Sequence, residues 1–305
     1  MSTSKKISVL LPVYNAQDFI FESIDSILKQ TFEDFELLIF NDGSTDKSKE
    51  IIHSINDKRI IYLENTTNKG IVYNLNKGIY YSKGDYIARM DADDIAFKNR
   101  FEKQFYFLEN EREIDILATG LQVLGTNSIS IKEFSPDFHK IYLLKGNTVA
   151  HPTVMIRKKS LTSIGLKYDS QALYVEDYKL WLDACLNNLK IHSLSEVLLY
   201  YRSHTNQISK KKFNQQVNNS RLLKFLYAHY YFEPYLNGKN AELYIQFIEN
   251  CIPSYIEKEK EIDKLCTNLV KEVKRNRIFN LDLFNKFLDN QRNTVKSANL
   301  DKTWV

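Results

Sequence analysis

The chain has 305 residues, 43% hydrophobic and 26% charged, with only 9 Gly and 5 Pro. Those numbers exclude a disordered, collagenous or low-complexity polymer and allow one large domain or one and a half. Its three cysteines, Cys185, Cys251 and Cys266, are scattered and lack C-x-x-C spacing; neither a disulfide framework nor a zinc site follows, and a reducing cytoplasm is the expected setting.

Read in chain order, the apolar pattern alternates between strand and helix. Residues 7–11, "ISVLL", predict a strand ending at Pro12. This opening run is too short for a signal peptide, and no stretch of about 18 apolar residues is present for a membrane span, so a soluble or membrane-peripheral protein is expected. Ile20, Ile24, Ile27 and Leu28 fall at helical spacing, "FELLIF" (35–40) predicts a second strand running into the turn formers "NDGSTD", and Ile51, Ile52 and Ile55 mark a second helix. "RIIYL" (59–63) is a third strand, Ile71, Leu75 and Ile79 belong to a third helix bounded by glycines, and "DYIARM" (85–90) is a fourth strand. This alternation predicts an α/β protein, a mostly parallel sheet with helices on its faces, in which ligands bind beyond the carboxyl ends of the strands. Those four ends carry "PVYN", "NDGSTD", "ENTTNKG" and "DADD", which gathers acidic and hydrogen-bonding groups at one rim.

From about residue 113 the pattern loosens, with strands expected at 116–125 and 152–158. The segment "EDYKLWLDACLNN" predicts a helix with Leu180, Ala184 and Leu186 facing the core, and "SEVLLYYRSH" a returning strand. Beyond His204 long helical segments follow, the clearest at 255–273, where Ile262, Leu265, Cys266, Leu269, Val270 and Val273 form one apolar stripe. The reading gives a domain over 1–209 and a helical C-terminal region over 210–305, with no internal repeat.

The stretch "DYIARMDADDI" sets the chemical problem, because Asp91, Asp93 and Asp94 place three carboxylates within four residues. Like charges so close need a positive partner. A solvated acidic turn is the plain reading. A calcium EF-hand fails, since Ile95 and Ala96 occupy positions that need a ligand and a glycine, and a strand rather than a helix leads in. An aspartyl-nucleophile phosphatase of the haloacid dehalogenase kind carries D-x-D on its first strand, whereas three strand–helix units precede it here; it stays as an alternative, beside a non-catalytic nucleotide-binding module. The remaining reading is a D-x-D that holds Mn²⁺ or Mg²⁺ against the diphosphate of a nucleotide-sugar, the metal being the positive partner.

The neighbouring motifs decide between these. "SVLLPVYNAQDFIFESIDSILKQTFEDFELLIFNDGSTD", then "NKGIVYNLNKGI", "GDYIARMDADDI", "HPTVMIRK", "EDYKLWL" and "YRSHTNQIS" together resemble the bacterial family 2 glycosyltransferases over roughly residues 5–210. More narrowly, "ARMDADDIA", "EDYK-x-W" and "YR-x-H-x-NQ-x-S" are similar to transferases that add galactose or N-acetylgalactosamine to lipooligosaccharide or O-antigen chains. The resemblance implies a GT-A fold, a UDP-sugar donor, a divalent metal, a glycan or lipid-linked glycan acceptor, and inversion at the anomeric carbon. It implies that Pro12, Val13, Tyr14, Asn15 and Asp42 cradle the uridine, with Asp42 accepting from the uracil N–H. Asn68 and Lys69 then sit near base and ribose, Asp91 contacts the ribose or metal-bound water, and Asp93 binds the metal. Asp177 matches the general base that inverting transfer requires. Arg202 and His204 match the groups that meet the departing diphosphate, His204 alternatively ligating the metal. Taken alone, Glu176 and Asp177 are also good residues to open a helix, Trp181 suits core packing as well as stacking on an acceptor sugar, and His151 suits a turn as well as an acceptor cleft. One departure stands out: Leu75 occupies a position where many relatives have an arginine, so part of that donor contact is either missing or supplied by Lys69 or Arg89.

Charge is uneven along the chain. Residues 206–305 carry 17 Lys and Arg against 11 Asp and Glu, while residues 1–205 carry 25 against 27. The basic part includes Lys210, Lys211, Lys212, Lys271, Lys274, Arg275 and Arg277, interleaved with Phe225, Tyr227, Tyr230, Tyr231 and Phe232. Such a region docks peripherally on an anionic membrane, on the inner face where a lipid-linked acceptor sits, or packs on the catalytic domain or a second subunit of a homo-oligomer. Nucleic acid is not expected, as no basic reader motif is present.

Overall fold

A computed structural model describes residues 6–130, 133–205 and 207–300. The first half alternates as the periodicity predicts: β1 (Ile7–Val13), α1 (Ile20–Leu28), β2 (Phe35–Asn41), α2 (Ser48–Ser54), β3 (Ile60–Glu64), α3 (Ile71–Tyr81), β4 (Tyr86–Arg89), β5 (Ile95–Ala96) and α4 (Arg100–Asn110). Then come β6 (Ile116–Val123), β7 (Ile129–Ser130), α5 (Pro136–Tyr142), β8 (Met155–Arg157), α6 (Lys158–Thr162), α7 (Glu176–Leu186) and β9 (Ile191–Tyr201). The chain ends in helices α8 (Ile208–Lys211), α9 (Phe213–Phe232), α10 (Gly238–Ile248), α11 (Tyr255–Asn276) and α12 (Leu281–Leu300).

Packing divides the chain into two units, one of Met1–Ser135 with Val149–Lys212, the other of Pro136–Thr148 with Phe213–Val305. The first unit holds a mixed sheet in the order β3-β2-β1-β4-β8-β6-β9-β5, with β7 on β6. β3, β2, β1 and β4 are parallel, so their carboxyl ends lie together. β8 then runs antiparallel to both β4 and β6, and β9 returns parallel to β6.

The central strands β1 and β2 are rich in apolar residues because both faces are covered: β2 is buried along its whole length, and Ile20, Ile24 and Ile27 of α1 join the same core as Val9 and Leu11 of β1. On α3, a Cβ added at Gly78 would lie 2.8 Å from a Leu10 methyl, so glycine is what lets this helix seat on β1. One boundary differs from expectation. β1 continues through Pro12, because β4 pairs with β1 only as far as Leu10, leaving Pro12 with a neighbour on the β2 side alone. A missing N–H costs little where only one side of a strand is paired.

In the second unit, Phe232, Phe247, Phe284, Phe287, Tyr244 and Leu269 are buried together with the α11 stripe, although Val270 is only half-buried. Tyr142 of α5 meets Phe287 of α12 at a ring distance of 5.2 Å. The interleaved aromatics of the basic region therefore do not form a surface: Tyr227 and Phe232 are buried and Phe225 and Tyr231 half-buried, with Tyr230 alone of the five exposed. No helix among the described residues is long and apolar enough to cross a membrane.

The expected core face of α7 changes, and of the two readings of Trp181 the packing one fits its burial. Leu186 is half-buried, while Tyr178, Trp181, Leu182 and Cys185 join Leu180 and Ala184 inside. Trp181 is fully buried, which places it in the core and not on an acceptor sugar. Its ring lies edge-on to His151 at 5.8 Å, and its indole N–H has no hydrogen-bond partner. Trp181→Ala is expected to lower unfolding free energy by roughly 3–5 kcal/mol in urea denaturation, as large aromatic truncations do. Trp181→Phe, which also deletes the orphaned N–H, is expected to cost less than half of that.

Candidate active site

The site is built on the carboxyl ends of β2, β1 and β4. After β1, Asn15 adopts φ +51° and its side-chain oxygen accepts from the Thr45 N–H at 2.8 Å, while its own N–H donates to Ser44 Oγ at 3.0 Å. These bonds tie the "PVYN" turn to the "NDGSTD" turn after β2. Val13 is buried, Pro12 half-buried, and Tyr14 projects with 52% of its surface exposed. Asp42, only 3% exposed, accepts from Asn65 Nδ2 and the Lys69 N–H on Oδ1 and from the Gly70 N–H on Oδ2, each at 2.8 Å. Burial alone would push this carboxyl up; the donors around it outweigh that and hold it below the ordinary carboxylate range. Asn68 Oδ1 accepts from the Gly70 N–H at 3.0 Å, and the Lys69 side chain is exposed.

At the end of β4, oxygens of Asp91, Asp93 and Asp94 all lie within 4.8 Å of one another. The first positive partner of this cluster comes from the chain itself. Arg89 forks onto Asp91, Nη1 to Oδ2 at 2.6 Å and Nη2 to Oδ1. Arg89 is buried on Asp91, and Leu75 is itself a core residue. Asp93 Oδ2 meets His204 Nε2 at 2.8 Å. Asp94 is fully buried; its Oδ1 accepts from the Arg202 N–H at 2.9 Å, and its Oδ2 has no partner. Burial first, then the charges of Asp91 and Asp93, push Asp94 up to about 8. An all-oxygen donor set with an orphaned buried carboxylate oxygen fits a hard divalent cation, with the His204 imidazole as an additional ligand type.

Arg202 leans on this turn by Nε to the Asp93 carbonyl at 2.8 Å and reaches Glu22 Oε2 at 2.5 Å across the Phe19 ring. Gln207 supports the loop, donating to the Arg202 carbonyl at 2.6 Å, while Asn206 of the same motif lies outside the described residues.

Glu176 and Asp177 open α7, both half-buried, and Asp177 Oδ1 accepts the Tyr178 N–H at 2.7 Å. Burial, then the neighbouring Asp177 charge, pushes Glu176 up to about 7, and Arg89 and Asp91 act on it as well. The α7 acids and the β4 acids thus share one electrostatic environment. His151 is buried, its Nε2 2.7 Å from the Tyr168 hydroxyl; burial and the Arg89 charge hold it well below the ordinary imidazole range, and therefore neutral. The structure brings Arg202 and His204 into direct contact with Asp93, keeps Asp91 in the same carboxylate cluster, and sets Asp42, Asn15, Asn68 and Lys69 at the adjoining strand ends. Sequence reasoning missed Arg89 as the fork on Asp91, Asp94 as the anchor of the 202–207 loop, and Asn65 and Asn74 beside Asp42. The available signal for Arg89 was a lone cation in an otherwise apolar strand, which needs a partner when buried.

The family model described as Glycosyl transferase family 2 matches residues 8–161. An uncharacterized glycosyltransferase of Methanocaldococcus jannaschii is 36% identical over 220 residues, covering 68% of this chain and 75% of the relative. The Escherichia coli enzyme WfaP, named UDP-Glc:alpha-D-GlcNAc-diphosphoundecaprenol beta-1,3-glucosyltransferase, is 30% identical over 228 residues, 72% of this chain and 85% of the relative. In three dimensions the chain is similar to S. aureus TarS 1–349 in complex with UDP-GlcNAc, with TM-score 0.63, 20% identity, and coverage of 96% and 91% of the two chains. The fold is that of the GT-A glycosyltransferases. A parallel sheet whose carboxyl ends gather these acids, matched over half its length by one family, leaves no place for the phosphatase alternative: the chain belongs to glycosyl transferase family 2.

Proposed function

We propose that this glycosyltransferase moves a hexose or N-acetylhexosamine, galactose or N-acetylgalactosamine being the preferred candidates, from a UDP-sugar to a hydroxyl of a surface-glycan acceptor with inversion. The observation that carries the reading is the meeting of the Asp91–Asp93–Asp94 cluster with His204 and Arg202, in the electrostatic environment of the Glu176–Asp177 pair. WfaP's name supports a UDP-sugar donor and a diphosphate-lipid-linked acceptor. In this mechanism Asp42 accepts a base N–H, and the Asn15 and Asn68 turns wall the nucleoside. Asp177 takes the proton of the acceptor hydroxyl while that oxygen attacks the anomeric carbon from the face opposite the nucleotide. The anomeric C–O bond breaks, its electrons pass to the diphosphate, and a single displacement inverts the centre. Arg202 and His204 sit where charge grows on the leaving group. A divalent ion held by Asp93 and His204, with Asp91 beside it, would neutralise diphosphate charge when bound.

Chelation tests the metal. Transfer is expected to be lost in EDTA and restored by Mn²⁺, and Asp93→Ala to weaken UDP binding in calorimetry only when the metal is added; full activity in excess chelator would sink the assignment. Asp177→Asn keeps the oxygen that accepts the Tyr178 N–H but not the basicity. Its kcat is expected to fall about 10²-fold or more with donor binding little changed, the scale of lost general-base assistance. Near-normal turnover would move the base to Glu176.

We further propose that the exposed Lys210, Lys211, Lys212, Lys271, Lys274, Arg275 and Arg277 hold the protein at an anionic membrane where a lipid-linked acceptor is presented. Each cation near such a surface contributes about 1 kcal/mol. Co-sedimentation with anionic vesicles is expected to fall at high salt and in a Lys210/Lys211/Lys212→Glu variant. Equal binding to neutral and anionic vesicles would refute docking.

A further inference from the structure

Asp42 is held by a hydrogen-bond chain whose direction is fixed at both ends. Asn74, buried on α3, donates Nδ2 to the Gly70 carbonyl at 3.0 Å. A carbonyl only accepts, so the amide nitrogen must face it, and Asn74 Oδ1 therefore points the other way, accepting from Asn65 Nδ2 at 2.8 Å. At the far end Lys77 Nζ, which only donates, meets Asn65 Oδ1 at 3.2 Å. Neither amide can flip without losing a bond, so Asn65 Nδ2 has to donate to Asp42 Oδ1.

The loop that brings these groups together is pinned separately. Gly43, at φ +72°, lies so close to it that an added Cβ would be 3.0 Å from the Thr67 carbonyl carbon and 3.1 Å from the Asn68 nitrogen. Lys69 and Gly70 are therefore delivered to the carboxylate by close backbone packing, and Asn65 completes the set.

An ionised carboxylate has about four acceptor positions. Oδ1 takes Asn65 and Lys69, Oδ2 takes Gly70, and the Asn74 amide also acts on the carboxylate as a donor, so the group is held from the protein side by neutral N–H donors alone. We propose that Asn65 and Asn74 are positioning residues for nucleobase selection: by fixing the Asp42 carboxylate in one orientation they present an acceptor-only group to a ring N–H, which admits uracil and turns away cytosine. Uracil presents N3–H at this edge. Cytosine presents a lone pair there, and a buried acceptor facing a lone pair is left unpaired, the arrangement that polar sites reject most strongly. Without the asparagines, Asp42 can rotate to meet the cytosine amino group, and the discrimination fades.

The inference rests on the UDP-sugar reading above, and the test separates the two. UDP and CDP affinities are measured by calorimetry with Mn²⁺ for the wild type, for Asn65→Leu and for Lys77→Met, with circular dichroism on each. The wild type is expected to prefer UDP. Asn65→Leu is expected to lower the UDP-to-CDP preference about tenfold, the scale of a lost hydrogen bond to a charged group, with the loss in transfer assays falling on the donor KM and not on kcat. Lys77→Met, at a half-buried position, frees the Asn65 amide to turn and is expected to lower the preference about threefold; it decides the matter alone if Asn65→Leu does not fold. Folded variants that keep the wild-type preference overturn the inference. A wild type that binds UDP no better than CDP, or binds neither, overturns instead the donor reading beneath it.

Discussion

The acidic turn after β4 can exist in a folded chain because two arginines lie beneath it. Arg89 forks onto Asp91 from inside the sheet, and Arg100, fully buried at the start of α4, donates to the Arg89 carbonyl at 2.8 Å and to Gln104 at 3.1 Å. Burial lowers Arg100 to about 9, with the Asp94 charge opposing that fall, so the guanidinium stays protonated at neutral pH. Breaking a buried pair from one side leaves an uncompensated charge and is more costly than never having built it. The acids and arginines are therefore one electrostatic unit. The metal proposed for the open side of Asp91 and Asp93 adds to a compensation that the chain has already begun.

The two halves of the site achieve their geometry by different physical means. At Asp42 the partners are neutral amides, backbone N–H groups and asparagines, which act at short range and in fixed directions. That suits recognition of a planar base with one N–H. At the β4 turn the Arg89 and Arg202 guanidinium groups bring full charges, which act over longer distances and tolerate small displacements. That suits a diphosphate whose charge changes as its bond to the sugar breaks.

Residues 7–90 of the first unit could be read in the sequence, because each helix and strand there has a clean apolar period and each strand ends in turn formers. The rim of strand ends followed from the same alternation. Arg89 was not legible: alternation in "YIARM" places it on one face of a strand, but sequence alone does not say that this face is also covered. Here the Arg89 backbone N–H donates to the Val154 carbonyl and its side chain acts on buried His151 and Tyr168, so the cation is enclosed. Nor was the fate of the aromatics in the basic region legible, since the same Tyr227 and Phe232 that suggest a membrane face also serve as core residues. Asn65 and Asn74 lie inside the stretches "ENTTNKG" and "NKGIVYNLNKGI", but nothing in those stretches marks them as partners of Asp42; the register of β2 against β3 and the pitch of α3 bring them there.

The position of the acid cluster is finally a matter of backbone pairing. β4 ends at Arg89 with neighbours β1 and β8, and β5 begins at Ile95 with a different neighbour, β9, through Ile95↔Tyr200 and Ala96↔Leu199. The intervening residues 90–94 must cross from one set of pairings to the other. The same β9 then delivers Arg202 and His204 directly after its last paired residue, Tyr201 against Val123 of β6. The contacts of Arg202 with Asp93 and Asp94, and of His204 with Asp93, are thus set by strand register, and side-chain attraction only refines them. A shift in the β5–β9 pairing would carry Arg202 and His204 away from the acids together. The proposed leaving-group and metal contacts are therefore built into one stretch of sheet, while the proposed nucleobase contact at Asp42 rests on separate loops and is free to vary without disturbing them.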